Sequence, residues 1–176
     1  MQARRATQEN DRMRYFDIAE MRVDEESART LGFKKVFNIG GDIGKFPGSD
    51  GKSIAFMSGK ESFARAARSP NVLAIVADAL PVQKKDLELM RAEGKLLILP
   101  AWPLMEMAGM QLVKGTAQLR NAFRIAKQMR VKSSVATMAK ASEHLLSSMQ
   151  LIETACMLCG SEEEAKEMVQ RLGVFE

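Results

Sequence analysis

Two apolar runs constrain this chain more than any other feature: "VLAIVA" at 72–77 and "KLLILPAW" at 95–102, separated by the helix-periodic "KKDLELMRAEG". A strand wetted on one face alternates apolar with polar residues. A strand apolar at nearly every position is covered on both faces, as in a parallel sheet. The rhythm extends in both directions. "YFDIAEM" (15–21), "KKVFNI" (34–39), "SIAF" (53–56) and "SSVATMA" (133–139) read as further strands, which makes six. Strands alternating with helices give an α/β fold with a mostly parallel sheet.

Helix boundaries are written in caps and stops. Asp24 caps a short helix that ends at Gly32. Ser58-Gly59-Lys60-Glu61 is a capping box opening a helix through Arg68, and Gly94 ends the helix between the two apolar runs. A basic helix follows at about 116–131 and an apolar one at about 144–159. Ser161 and Glu164 form a second capping box, for a helix stopping at Gly173. The connection from Gly40 to Gly51 has no helical period and is too short for a helical crossover. Strands two and three therefore pair antiparallel, or a helix is missing there.

A chain of 176 residues suits one core, here residues 15–176 behind a polar arm at 1–14. That arm, "MQARRATQENDRMR", lacks the apolar stretch of a signal peptide, and no run of eighteen apolar residues occurs. With two cysteines and no secretory signal, the sequence predicts a cytoplasmic protein without a disulfide framework.

Several motifs invite chemistry and fail on spacing. "NIGGDIGKFPGSDGKS" (38–53) ends in Gly-Lys-Ser, but Phe46 stands where a P-loop needs glycine, and a strand follows instead of a helix. Lys45 and Lys52 remain available to a polyanion. Cys156 and Cys159 have CxxC spacing inside an apolar helix, with no second pair to complete a zinc site, so the sequence predicts buried structural thiols. His144 is the only histidine and stands beside Glu143, a solvated position. Asp17, Glu20, Asp42 and Asp78 fall near strand ends, where barrel enzymes keep catalytic groups, but no spacing singles out a pair.

Charge is distributed unevenly. The thirty-six residues from Met107 to Ser142 hold seven cations and no carboxylate, in a chain whose net charge is +4. On the basic helix Leu119, Ala122, Phe123, Ala126 and Met129 share one face, and Arg120, Arg124 and Lys127 lie opposite. Surface helices usually interleave acids with bases, since like charges at i,i+4 repel. A face of unrelieved cations suits phosphates. Arg130 and Lys132 extend it past the helix, and Lys140 past the next strand, so the predicted polyanion surface is Arg120, Arg124, Lys127, Arg130, Lys132 and Lys140.

"KLLILPAWPLMEM", the basic helix, "MRVKSSVATMA" and "LIETACMLCGSEEEAK" together resemble the TIM-barrel-like protein subunit of archaeal and eukaryotic ribonuclease P, the thirty-kilodalton subunit family. The resemblance runs in order from about Tyr15 to Gly173. It rests on element order, the Pro103-Leu104 turn and the basic residues before the next strand, of which Arg130 and Lys132 match basic family positions. Trp102 stands where the family tends to carry Arg, and Met149-Gln150 where it tends to carry Arg-Asp, so RNA contacts there are not carried over. About one βα unit is absent. The resemblance implies a TIM-barrel-like fold reduced to about six or seven strands, and a noncatalytic role. It implies binding to the ribonuclease P RNA beside a Pop5-type protein subunit, with pre-tRNA engaged indirectly. It further implies that no cofactor is bound by the chain itself, and that the magnesium ions lie on the RNA, which cleaves the 5′ leader. The alternative from the residues alone is a small α/β-barrel enzyme acting on a phosphorylated small molecule.

Overall fold

The computed structural model describes residues 15–39, 53–58 and 63–175. The arm at 1–14, the Gly40–Gly51 connection with Asp42, Lys45 and Lys52, and the Glu61 half of the first capping box lie outside the described residues.

Strand β1 (Phe16–Ala19) leads through α1 (Glu25–Thr30) to β2 (Lys35–Asn38). After β3 (Ser53–Phe56) come α2 (Phe63–Arg68), β4 (Val72–Val76), α3 (Lys84–Ala92) and β5 (Leu96–Pro100). Then follow α4 (Trp102–Met105), α5 (Gly109–Gln128), β6 (Ser133–Ala136), α6 (Ser148–Cys159) and α7 (Glu162–Gln170). The protein is a mixed α/β structure. All strand pairings among the described residues are parallel, in a two-stranded sheet β1–β2 and a four-stranded sheet β3–β4–β5–β6. No β2–β3 pair, antiparallel or otherwise, occurs among the described residues.

The two sheets meet along β1 and the end of β6. The Met138 N–H donates to the Ile18 carbonyl at 2.7 Å, the Glu20 N–H donates to the Ala139 carbonyl at 2.9 Å, and Ala19 bridges Ala139 in parallel. The strands thus follow one another in the order β2-β1-β6-β5-β4-β3, the first strand of the chain lying against the last.

Side-chain parity divides the core into two layers. Ile18, Phe37, Ile54, Val76, Ile98 and Ala136, one from each strand, belong to a single inner cluster. The opposite faces pack outward, Ile75, Leu97, Leu99 and Val135 against helix residues such as Leu87, Met90, Leu119, Leu151 and Met168. Each fully buried Leu or Ile stabilises the fold by roughly 1.5–3 kcal/mol, which is why β4 and β5 are apolar throughout. A 3₁₀ turn, Arg171–Phe175, carries the chain past the expected stop at Gly173. It adds Leu172 and Phe175 to the inner cluster. The Phe175 ring meets Phe37 edge-on at 5.8 Å, Phe37 stacks on Phe16 at 5.9 Å, and the Arg171 guanidinium donates to the Ser133 carbonyl at 2.9 Å. The amino-terminal end of the inner layer is closed in this way.

Asp24 caps α1 as the sequence predicts, its Oδ1 accepting the Ser27 N–H at 2.8 Å. Gly32 ends the same helix at φ +83°, with the Phe33 N–H returning to the Ala28 carbonyl at 2.9 Å. Two helices begin elsewhere than expected. Helix α5 starts at Gly109, seven residues before 116, because its first turns stand in solvent with Met110 and Val113 exposed and show no apolar period. Helix α6 begins at Ser148 after a separate 3₁₀ turn, Ser142–His144, because Ser147 and Gln150 form a reciprocal capping box.

Candidate functional site

Helix α5 presents the cations as predicted, with Leu119, Ala122, Phe123 and Ala126 buried and Arg120, Arg124 and Lys127 exposed. Tertiary packing changes their partners. The Arg120 guanidinium donates from Nε at 3.1 Å and from Nη2 at 2.7 Å to the Met157 carbonyl, near the end of α6 where cations are favoured. Lys127 Nζ lies 2.8 Å from the carboxylate of Glu164 on α7. Arg124 reaches only its own helix, donating to Asn121 Oδ1 at 2.9 Å. The acid missing from the local sequence is therefore supplied to Lys127 from thirty-seven residues away.

Arg130 and Lys132 are exposed and make no ion pair among the described residues. Arg130 occupies the left-handed position at φ 58°, and the Val131 N–H returns to the Ala126 carbonyl at 2.9 Å, the arrangement that usually recruits glycine after a helix. Together with Arg124, these residues mark the amino-terminal edge of the sheet, where α5 ends and β6 begins.

Lys140 belongs to the other edge. It follows β6, and an extended segment of eight residues spans up to roughly 25 Å from Lys132. Its ammonium sits 4.2 Å from the centroid of the Trp102 ring, just past β5. The six predicted residues thus do not form one continuous patch: five gather along α5 and the turn after it, and Lys140 stands apart.

The carboxyl edge holds a cluster that spacing could not reveal. Glu20, Ser58, Asp78, Trp102 and Lys140 follow five different strands and are linked in a chain, Ser58 to Asp78, Asp78 to Glu20, Glu20 to Lys140 and Lys140 to Trp102. Asp78 accepts the Ser58 N–H at 3.0 Å and the Ser58 hydroxyl. Burial raises the Glu20 carboxyl above the usual range, Lys140 lowers it, and Asp78 raises it again. Behind Trp102 stands His144, at 6.0 Å between ring centroids, with its Nε2 3.3 Å from Glu106. The side chain of His144 is only 14% exposed and its Nδ1 is buried without a partner among the described residues, so this histidine is not the solvated one expected.

Asp17, grouped by the sequence with the carboxylates near strand ends, is placed differently by the structure. It lies inside β1 with no exposed surface, facing the helix layer, and accepts the Thr137 N–H at 2.7 Å. Burial pushes its carboxyl up to about 7 against the opposing effect of hydrogen bonds from Thr137 and Ile18. Spacing near a strand end does not show this burial, which depends on the segments packed over β1.

Cys156 and Cys159 pack against the outer core but are half-buried, not fully buried as predicted. Cys159 Sγ donates to the Ser161 carbonyl at 3.1 Å, and burial raises its thiol. No group of three or more His, Cys, Asp or Glu is placed to hold a metal ion among the described residues, and none of their helices is long and apolar enough to cross a membrane. No family model and no curated protein matches the chain.

Proposed function

We propose that this chain is a noncatalytic, RNA-binding protein subunit of ribonuclease P, built as a reduced TIM-barrel-like domain. The observation that carries the reading is the amino-terminal edge, where Arg124, Arg130 and Lys132 face solvent without a carboxylate partner among the described residues. Cations that the fold leaves unneutralised are those a phosphate backbone can use. The all-parallel strand order, with β1 against β6 and a shared inner cluster, supports the barrel part of the proposal. The resemblance in element order supplies the choice of ribonucleoprotein, the RNA subunit and a Pop5-type protein being the partners.

A phosphorylated small molecule is the weaker reading. Barrel enzymes bind substrate at the carboxyl edge, and there a phosphate would meet Glu20 and Asp78 beside Lys140.

The test is reconstitution. The chain, freed of RNA, is expected to leave pre-tRNA intact, and addition of the cognate RNA and the Pop5-type protein to give 5′-leader cleavage stimulated by the chain. Metal-dependent cleavage by the chain alone, or no effect of the chain on the assembled RNA, would overturn the proposal.

A further inference from the structure

The carboxyl edge has no part in RNA binding as proposed above, yet among the described residues several strands deliver polar side chains to a common point there. Its composition selects a ligand. Glu20 and Asp78 lie close enough to influence each other, Glu106 is held nearby by His144, and among the described residues Lys140 is the one cation in this set. An anion is disfavoured by this balance. A hard divalent ion is also poorly served, since such ions take six or more oxygen ligands and no group of three candidate ligands occurs among the described residues. An organic cation is served well, because it can use carboxylates and an aromatic face together.

The protein already shows that geometry with its own side chain. The Lys140 ammonium rests 4.2 Å from the Trp102 ring centroid, within the electrostatic reach of Glu20. Asp78 also lines a cleft of about 250 Å³, together with Leu80, Pro103, Leu104, Met107 and Leu119. Asp78 thus belongs both to the charged cluster and to the largely apolar lining of the cleft.

We infer that the carboxyl edge of the sheet is a binding site for a small molecule bearing a primary ammonium or guanidinium group on an aliphatic stem. The head group takes the place of the Lys140 ammonium between Trp102, Glu20 and Asp78, and the stem enters the cleft beside α4 and α5. Lys140 is an internal competitor that keeps the site filled when no ligand is bound.

Trp102 is the only tryptophan in the chain, so its fluorescence reports this site alone. Titration of the full chain with n-butylammonium is expected to give a saturable change, and n-butanol and butanoate none. Methylammonium, which leaves the cleft empty, is expected to bind at least about threefold more weakly. Glu20→Gln should weaken n-butylammonium about tenfold, the effect of one lost charge-assisted contact. Lys140→Met should tighten it about threefold or more, since the competing cation is gone. Circular dichroism establishes that both variants are folded, and a misfolded Glu20→Gln is replaced by Asp78→Asn with the same expectation. Absence of a saturable change, equal response to butanoate, equal affinity for methylammonium, or unchanged or weakened binding by Lys140→Met would each overturn the inference.

Discussion

Asp17 accepts the backbone N–H of Thr137 at 2.7 Å across 120 residues of sequence, joining the first strand to the end of the last. The second oxygen of Asp17 and the hydroxyl of Thr137 are both buried with no partner among the described residues. A carboxyl in this position is easier to hold neutral than charged, because burial penalises the ionised form more than its hydrogen bonds repay.

A pH dependence of stability follows. Between the ordinary value of 3.8 and about 7, folded Asp17 retains a proton that the unfolded chain has given up. Stability therefore falls as pH rises through this interval, by an amount on the order of 4 kcal/mol, and is flat above it. Glu20 is shifted in the same direction, while the exposed Asp24, Glu143 and Glu162 are shifted downward and act oppositely at the acid end. Asp17→Asn keeps an acceptor for Thr137 and cannot ionise, so it should match the parent near pH 4 and exceed it at pH 8 by an amount on the order of 4 kcal/mol. Urea unfolding at pH 4, 6 and 8 decides this, and parallel curves for the two proteins would contradict it.

Opposite outcomes are expected at two left-handed positions. Gly32 has φ +83°, and an added Cβ would lie 2.5 Å from Ser148 Oγ, so Gly32→Ala should destabilise by roughly 1–2 kcal/mol. Arg130 has φ 58° with a side chain already present, so Arg130→Gly should stabilise by about 0.5–1 kcal/mol. Thermal unfolding of both variants measures the signs.

Lys127 and Lys132 should differ in RNA binding although both are lysines on one surface. Lys127 is already paired with Glu164, whereas Lys132 has no ion pair among the described residues. Arg124→Ala with Lys132→Ala should flatten the slope of log K against log salt by about 0.7–0.9 units per contact and weaken all structured RNAs alike. Lys127→Ala should change it less, and Glu164→Ala should tighten binding. Salt titrations with the cognate RNA test this, and equal effects of Lys127→Ala and Lys132→Ala would show that the Glu164 pair does not matter.

The two cysteines offer a smaller effect than full burial would. Each is half-buried against the outer core, so Cys156→Ala and Cys159→Ala should each cost about 1 kcal/mol or less. Chemical denaturation measures it. Loss of one equivalent of co-purified zinc in the double variant would replace the packing account with a metal one.

The strands and most helix ends are determined by the sequence itself. "SIAF" is strand β3 residue for residue, β4 and β5 fall within their apolar runs, and Asp24, Gly32 and Gly94 mark helix boundaries, because periodicity and capping act over a few residues. The separation of cations from the apolar face of α5 is equally local. What the tertiary structure decided are the pairings between distant segments. Glu164 reaches Lys127, the end of α6 reaches Arg120, and β1 lies against β6 so that Asp17 is buried against Thr137. Lys140 is near Lys132 in sequence but across the sheet from it, because a strand carries its two ends to opposite edges of the fold. Glu20, Ser58, Asp78 and Trp102 come together from four further strands for the same reason. Local spacing fixes which way a side chain points; only the order of the strands fixes what it meets there.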